Sequence, residues 1–360
     1  MNRSRDFSSH LLPEHSAPQH EHAPRPLPLF LEMVRLVGEC DPETARAALE
    51  GLAKYERASR EGGRPRKQVA AQIGPAVLRD HGGSGPPAIL VPSLINPPDV
   101  LDLDEDVSLA SAVARMGRRS LLLDWGAARE RAELDVGGHV ESLLVPLISQ
   151  LEEPPALIGY CLGGTMAIAA ANLTPVERVA TIAAPWRFSE YPEDSRRSLL
   201  ELWKHARQAA VSLKVLPMEV LQAAFWSLDP SRTVSKFARF SKLEAESAEA
   251  RRFVVLEDWS NEGEPLPLPA ARELIEDFFG ADLPGNGEWT VAGQAMTESI
   301  AAPLLNCTAS KDRITPSVSA PSGSREDIAA GHVGMVVGSA RGELHSALAR
   351  FLDPACRSTG

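Results

Sequence analysis

The segment Ala156-Leu157-Ile158-Gly159-Tyr160-Cys161-Leu162-Gly163-Gly164 restricts the folds open to this 360-residue chain more than any other stretch. An apolar run enters a turn of small residues, and Thr165 to Leu173 continue with helical composition. This strand–turn–helix order is that of a nucleophile elbow, with cysteine in the place serine usually takes. The nucleophile of such an elbow sits in a strained backbone conformation, and strand and helix approach closely around it. Only small residues fit two positions before and two after it. Gly159 and Gly163 fill those places, and Gly164 gives the helix room to start. Cys161 is then expected at a helix N-terminus, where the dipole and free N–H groups favour a thiolate. The backbone N–H of Leu162 is the first expected oxyanion donor. Cys40, Cys307 and Cys356 stand in no comparable context. No Cys-x-x-Cys spacing occurs, so neither a disulfide framework nor a zinc site is expected, and the pattern fits a reducing cytosol.

The flanking pattern supports a doubly covered sheet. Strands are expected over Val69 to Leu78, Ala88 to Val91, Ser120 to Leu123, Ala156 to Gly159, Arg178 to Ala183 and Leu304 to Ala309. Helices are expected over Val107 to Met116, Val136 to Leu151, Thr165 to Leu173 and Arg341 to Leu352. Strand–helix alternation of this kind implies a mostly parallel sheet with helices on both faces. The fold class is α/β, specifically an α/β-hydrolase fold with a helical cap insertion. The expected organisation is a disordered tail over 1–27, a helical segment and linker over 28–68, core over 69–185, cap over 186–300 and core again over 301–355. The cap is marked by helical periodicity and by Trp186, Trp203, Trp226, Trp259 and Trp289.

In this fold the order along the chain is nucleophile, acid, histidine. Three histidines follow Cys161. His205 falls in the helical insertion and His345 in the last helix, whereas His332 lies in the small-residue loop Ala329-Ala330-Gly331-His332-Val333-Gly334. His332 is the expected base. Asp312, at the exit of the strand ending near Ser310, is the expected acid that holds the imidazole tautomer. Asp327 and Glu326 are read as loop residues without a preceding strand, and Asp124 is out of order. The second oxyanion donor is expected from the loop Pro92 to Pro98, with the N–H of Ile95 as the choice.

Composition narrows the partners. A net charge of −11 excludes a broad nucleic-acid surface. Residues 1–26 have no apolar core of a secretory signal. The run from Pro155 to Leu173 is too glycine-rich and interrupted for a transmembrane span. A cytoplasmic enzyme is expected. The tail histidines His10, His15, His20 and His22 are irregularly spaced, and no metal is expected there.

Taken together, these motifs resemble the polyhydroxyalkanoate synthase family. Its lipase-like box Gly-x-Cys-x-Gly-Gly matches 159–164. Its early loop is similar to Ile95-Asn96 followed by Asp99-Val100-Leu101-Asp102-Leu103. Its Asp-Trp-Gly occurs at 124–126, and its Gly-His-x-Gly loop at 331–334. The similarity covers about residues 69–352. Arg313 follows the aspartate where the family often carries histidine, and the long N-terminal domain of the larger synthases has no counterpart.

The resemblance implies an acyltransferase that polymerises 3-hydroxyacyl-CoA, with CoA release through a covalent acyl-cysteine. It implies no cofactor beyond the CoA thioester substrate, contact with a polyester granule surface, and either a homodimer or a second synthase subunit. A Cys-dependent hydrolase with the same residues, a thioesterase or intracellular depolymerase, is the alternative. An idle granule-binding relative is a third class, against which the complete Cys–Asp–His set argues.

Overall fold

Gly74 and Pro75 divide the first apolar run. Val69–Ile73 (β1) and Ala76–Asp80 (β2) form an antiparallel hairpin turning at Gly74, where φ is +52°. The single strand expected from Val69 to Leu78 is therefore two, because apolar residues continue on both sides of the turn and mask it. The remaining strands are Pro87–Val91 (β3), Arg119–Asp124 (β4), Ala156–Tyr160 (β5), Arg178–Ile182 (β6), Leu304–Ala309 (β7) and Ser324–Ile328 (β8).

A computed structural model describes residues 22–60 and 66–353. Its strands join in one 8-stranded sheet, in the order β1-β2-β4-β3-β5-β6-β7-β8. β2 is antiparallel to both neighbours, and every pairing from β4 to β8 is parallel. This is the α/β-hydrolase order. The three inner strands β3, β5 and β6 are buried along almost their whole length, as a sheet covered on both faces requires.

β8 corrects the expectation that Glu326 and Asp327 lie in a loop. Ser324-Arg325-Glu326-Asp327-Ile328 has one buried residue, Ile328. It is an edge strand, held by a residue-for-residue parallel ladder to Leu305–Ala309. Charged side chains are tolerated there and deter further pairing.

The helices that bear on the site are Leu27–Cys40 (α1), Pro42–Glu56 (α2), Leu109–Arg115 (α3), Leu162–Leu173 (α4), Glu193–Leu213 (α5), Met218–Ser227 (α6), Pro230–Ser241 (α7), Ala248–Asn261 (α8) and Arg341–Leu352 (α9). One sheet face packs α4 and the helical run 136–149, through Met166, Ile168, Val140 and Leu144. The other packs α3 and α9, through Val113, Leu344 and Leu348. α4 starts at Leu162, directly after the turn, rather than at Thr165. Among the described residues no helix is long and apolar enough to cross a membrane.

The insertion is narrower than the 186–300 expected of a cap. Trp186, Phe188, Phe278 and Trp289 join the main core, with Phe278 and Trp289 edge to face at 4.9 Å. Helical periodicity does not distinguish a lid helix from a core helix. α6, α7 and α8 are the part that stands over the carboxyl edge of the sheet.

The N-terminal helices pack on that part rather than on the sheet. Phe30, Tyr55, Phe237 and Phe240 form a separate core, with Phe30 and Phe237 rings 4.8 Å apart. Each buried phenylalanine contributes about 1.5–3 kcal/mol. Gly51 lets α2 lie directly on α7, since a Cβ there would sit 2.1 Å from the Phe237 carbonyl oxygen. Tyr55 donates to Asp258 Oδ1 at 2.5 Å, and Arg60 pairs with the same carboxylate at 2.9 Å. Of the expected tail 1–27, residues 1–21 lie outside the described residues. Residues 22–27 are packed: Ala23 is buried, and the Arg25 N–H donates to Asn261 Oδ1 at 3.1 Å. This short stretch has no periodicity to announce it. Part of the linker, 61–65, and Cys356 also lie outside the described residues.

Candidate active site

The elbow is built by steric necessity. Cys161 has φ +55° and ψ −130°, a conformation that costs a non-glycine residue about 1–3 kcal/mol. Hydrogen bonds hold it there: its N–H donates to the Ile182 carbonyl and its carbonyl accepts from the Gly164 N–H, both at 2.9 Å. A Cβ on Gly159 would lie 2.4 Å from Gly164 Cα, and one on Gly163 would lie 2.1 Å from the Val91 carbonyl oxygen. On Gly164 it would meet Ala184 Cβ at 2.3 Å. The three glycines thus let β5, α4 and the exits of β3 and β6 converge behind one side chain. Thr165 fixes the helix further by donating to the Pro185 carbonyl at 2.6 Å.

Parallel strands bring their carboxyl ends to one edge, where α/β sheets bind ligands. β3 leads there to Ser93 and Ile95, β5 to Cys161, β7 to Asp312 and β8 to His332. The loops that carry Asp312 and His332 are also joined directly. The Ser310 N–H donates to the Ile328 carbonyl and the Lys311 N–H to the Ala330 carbonyl, both at 2.9 Å. The unexpected edge strand therefore positions the histidine.

His332 Nδ1 lies 2.7 Å from Asp312 Oδ2, and the Asp312 side chain is fully buried. The other oxygen, Oδ1, accepts the N–H groups of Ile314 and Thr315 at 2.8 and 2.9 Å. Such a saturated carboxylate fixes the ring with Nδ1 as donor and leaves Nε2 for Cys161. The Tyr160 ring, tilted 39° to the imidazole at 5.1 Å, packs beside it. Burial pulls the imidazole pKa down. The charges of Cys161 and Asp312, with hydrogen bonds from both, outweigh burial and raise it to about 10. Cys161 is half-buried and opens to the cavity. Cys307, inside β7, is the contrast: burial pushes its thiol up to about 12, as for an inert core cysteine.

Leu162 is the first residue of α4, so its N–H is among the orphan donors of the helix start. The Ile95 N–H is already engaged, donating to Ser93 Oγ at 3.3 Å. Two tryptophans hold the loop between them. Trp125 Nε1 donates to the Pro92 carbonyl at 3.1 Å, and Trp259 Nε1 to the Pro97 carbonyl at 2.9 Å. Asp124 takes no part in the site and pairs with Arg79 at 2.9 Å. Sequence reasoning missed Ser93 and Tyr160, and it placed Trp259 in the cap without its hold on the Pro97 carbonyl. Only Ser93 left a usable signal, as a hydroxyl in the loop after a buried strand.

Cys161 and His332 open on a cavity of about 670 Å³, whose apolar wall includes Phe225, Trp226, Leu256 and Trp259 from α6 and α8. Its rim is basic. Arg232, Lys236, Arg252, Lys311, Arg313 and Arg341 line it against the acids Asp229 and Glu257. Lys236 pairs with Glu257 at 2.8 Å and Arg313 with Asp229 at 2.5 Å. Among the described residues the other four cations form no ion pair. In a chain of net charge −11, that local excess makes a focused positive field.

No protein-family model matches the chain. Among curated proteins, it is 28% identical to the poly(3-hydroxyalkanoate) polymerase subunit PhaC of Haloferax mediterranei, over 70% of this chain and 55% of that one. It is 26% identical to the subunit of that name from Allochromatium vinosum, over 74% of this chain and 80% of that one. The Synechocystis sp. subunit is 25% identical, over 74% of this chain and 77% of its own. Among solved structures, epoxide hydrolase A from Mycobacterium thermoresistibile aligns with a TM-score of 0.50 at 16% identity, covering 81% of this chain and 99% of that one. The chain is thus an α/β-hydrolase-fold protein whose sequence resembles poly(3-hydroxyalkanoate) polymerase subunits over at least 70% of its length.

Proposed function

We propose that this protein is an acyltransferase that polymerises 3-hydroxyacyl-CoA, with Cys161 as nucleophile, His332 as base and Asp312 as its orienting acid. The observation that carries the reading is a cysteine on a strained elbow that shares a cavity with a histidine whose Nδ1 is held by a buried carboxylate. His332 Nε2 takes the thiol proton, and Sγ attacks the thioester carbonyl. The intermediate expels CoA as a thiolate, which recovers the proton from Nε2. The incoming 3-hydroxyl then gives its proton to Nε2 as it attacks the acyl-cysteine, and collapse forms the ester, breaks the bond from the acyl carbon to Sγ and returns Cys161 as a thiolate that recovers the proton from Nε2. Exchange between thiol and thioester is close to balanced, because nucleophile and leaving group are of similar basicity.

Two further features support a CoA thioester. The basic rim suits a ligand with several phosphates, and the apolar wall suits an acyl chain and excludes competing water. The resemblance to polymerase subunits favours a hydroxyl over water as acceptor.

The test is incubation with 3-hydroxybutyryl-CoA and with longer 3-hydroxyacyl-CoAs, measuring CoA release and the fate of the acyl group. Polymer is the expected product. Free acid would turn the reading to a hydrolase, and release undiminished in Cys161→Ala would remove the nucleophile assignment.

A further inference from the structure

Ser93 is a buried residue at the exit of β3 and lines the same cavity as Cys161. Its segment touches the elbow: a Cβ on Gly163 would lie 2.6 Å from the Pro92 carbonyl oxygen. Trp125, donating to that carbonyl at 3.1 Å, keeps the segment in place. Ser93 Oγ accepts the Ile95 N–H at 3.3 Å. A serine hydroxyl has one proton to donate besides its acceptor sites. Among the described residues that proton meets no acceptor, although buried polar groups are ordinarily satisfied. The backbone donor expected to face the reaction is thus spent on a hydroxyl, and the hydroxyl is left with a free donor in the cavity that Cys161 lines.

We infer that Ser93 is the second oxyanion donor, a side-chain hydroxyl standing where a backbone N–H was expected. The inference rests on the acyl-cysteine reading above. As Sγ bonds to the thioester carbon, the carbonyl π pair moves onto oxygen. That oxygen receives hydrogen bonds from the Leu162 N–H and the Ser93 O–H. Collapse restores the carbonyl and breaks the bond to the CoA sulfur, which takes its proton from His332. The Ser93 proton stays on Ser93 throughout. The Ile95 N–H, donating into Oγ, orients the hydroxyl and polarises it, as linked hydrogen bonds do.

A serine that merely shapes the turn would use only its acceptor side, and the two roles separate by experiment. Ser93→Ala and Ser93→Thr are compared with wild type for CoA release from 3-hydroxybutyryl-CoA and for alkylation of Cys161 by iodoacetamide, which forms no oxyanion. The expected result for Ser93→Ala is a kcat lower by about 10²–10³-fold with KM little changed. Alkylation stays at the wild-type rate, and Ser93→Thr recovers most of the turnover. Ser93→Ala turning over within about twofold of wild type, where removing a true donor costs far more, overturns the assignment while Cys161→Ala remains inactive. Equal losses in turnover and alkylation also overturn it, because they mark a structural role. CoA release that survives Cys161→Ala removes the acyl-cysteine reading and the Ser93 assignment with it.

Discussion

Asp312 divides its two oxygens between ring and loop. Oδ2 meets His332 Nδ1 at 2.7 Å, and Oδ1 takes two backbone N–H groups of its own loop. The loop's own N–H groups hold the carboxylate independently of the ring, and it presents one oxygen to Nδ1. Asp312→Asn keeps the shape but places an amide N–H where an acceptor is needed, which favours the wrong imidazole tautomer. CoA release should fall by about 10²–10⁴-fold. Steady-state kinetics beside a circular dichroism melt checks this, and an active Asn variant would remove Asp312 from the mechanism.

The raised pKa of His332 has a defined consequence for stability. Its value of about 10 lies above the ordinary 6.5, so the folded state binds this proton more tightly than the unfolded chain. The added stability is complete below about pH 6.5 and is lost as pH rises through about 10. Urea melts of wild type and His332→Gln should therefore converge between neutral pH and about 10. The His332 ring resonance should show no midpoint near 6.5, and a midpoint there would contradict the raised pKa.

Gly163→Ala should be among the most damaging single-atom additions in the chain. The new methyl would sit 2.1 Å from one backbone oxygen and 2.6 Å from another, and neither can rotate away. A loss of about 3 kcal/mol or more is expected, beyond ordinary overpacking. Denaturant unfolding gives the number. A loss below about 1 kcal/mol, the scale of a mild surface change, would mean that the turn relaxes freely.

Arg313 and Asp229 form an ion pair whose halves differ in worth. The arginine side chain is 62% exposed, and such pairs contribute about 0–1 kcal/mol. Asp229 also caps α7, accepting the Arg232 N–H at 3.1 Å, and losing a cap costs about 0.5–2 kcal/mol. Asp229→Ala should thus destabilise more than Arg313→Ala in parallel melts. The reverse order would make the ion pair, rather than the cap, the main contribution.

The elbow was legible because its chemistry is local. Sterics around Cys161 demand glycines at fixed offsets, and a buried strand and helix leave their own periodicities beside them. The exit positions of Asp312 and His332 were legible through the order of the fold. β8 was not, because an edge strand needs only a partner's backbone and Ser324 to Asp327 could remain polar. The engagement of Ile95 by Ser93 was equally hidden, since an N–H has no side-chain signature. The attachment of the N-terminal helices to α7 and α8 was hidden too. Their apolar faces announce a partner without naming it, and the partner lies far along the chain.

That last attachment sets an order on assembly. Tyr55 and Asp258, joined at 2.5 Å, are 203 residues apart. A ribosome releasing this chain has long since delivered α1 and α2 when it reaches α8, and until then their aromatic face has nothing to close on. Contacts of such long range form late and slowly. Cys161 leaves the ribosome before the wall helices do, and Asp312 and His332 follow only after them, so the cysteine stays without these two partners until the wall of its cavity has been made.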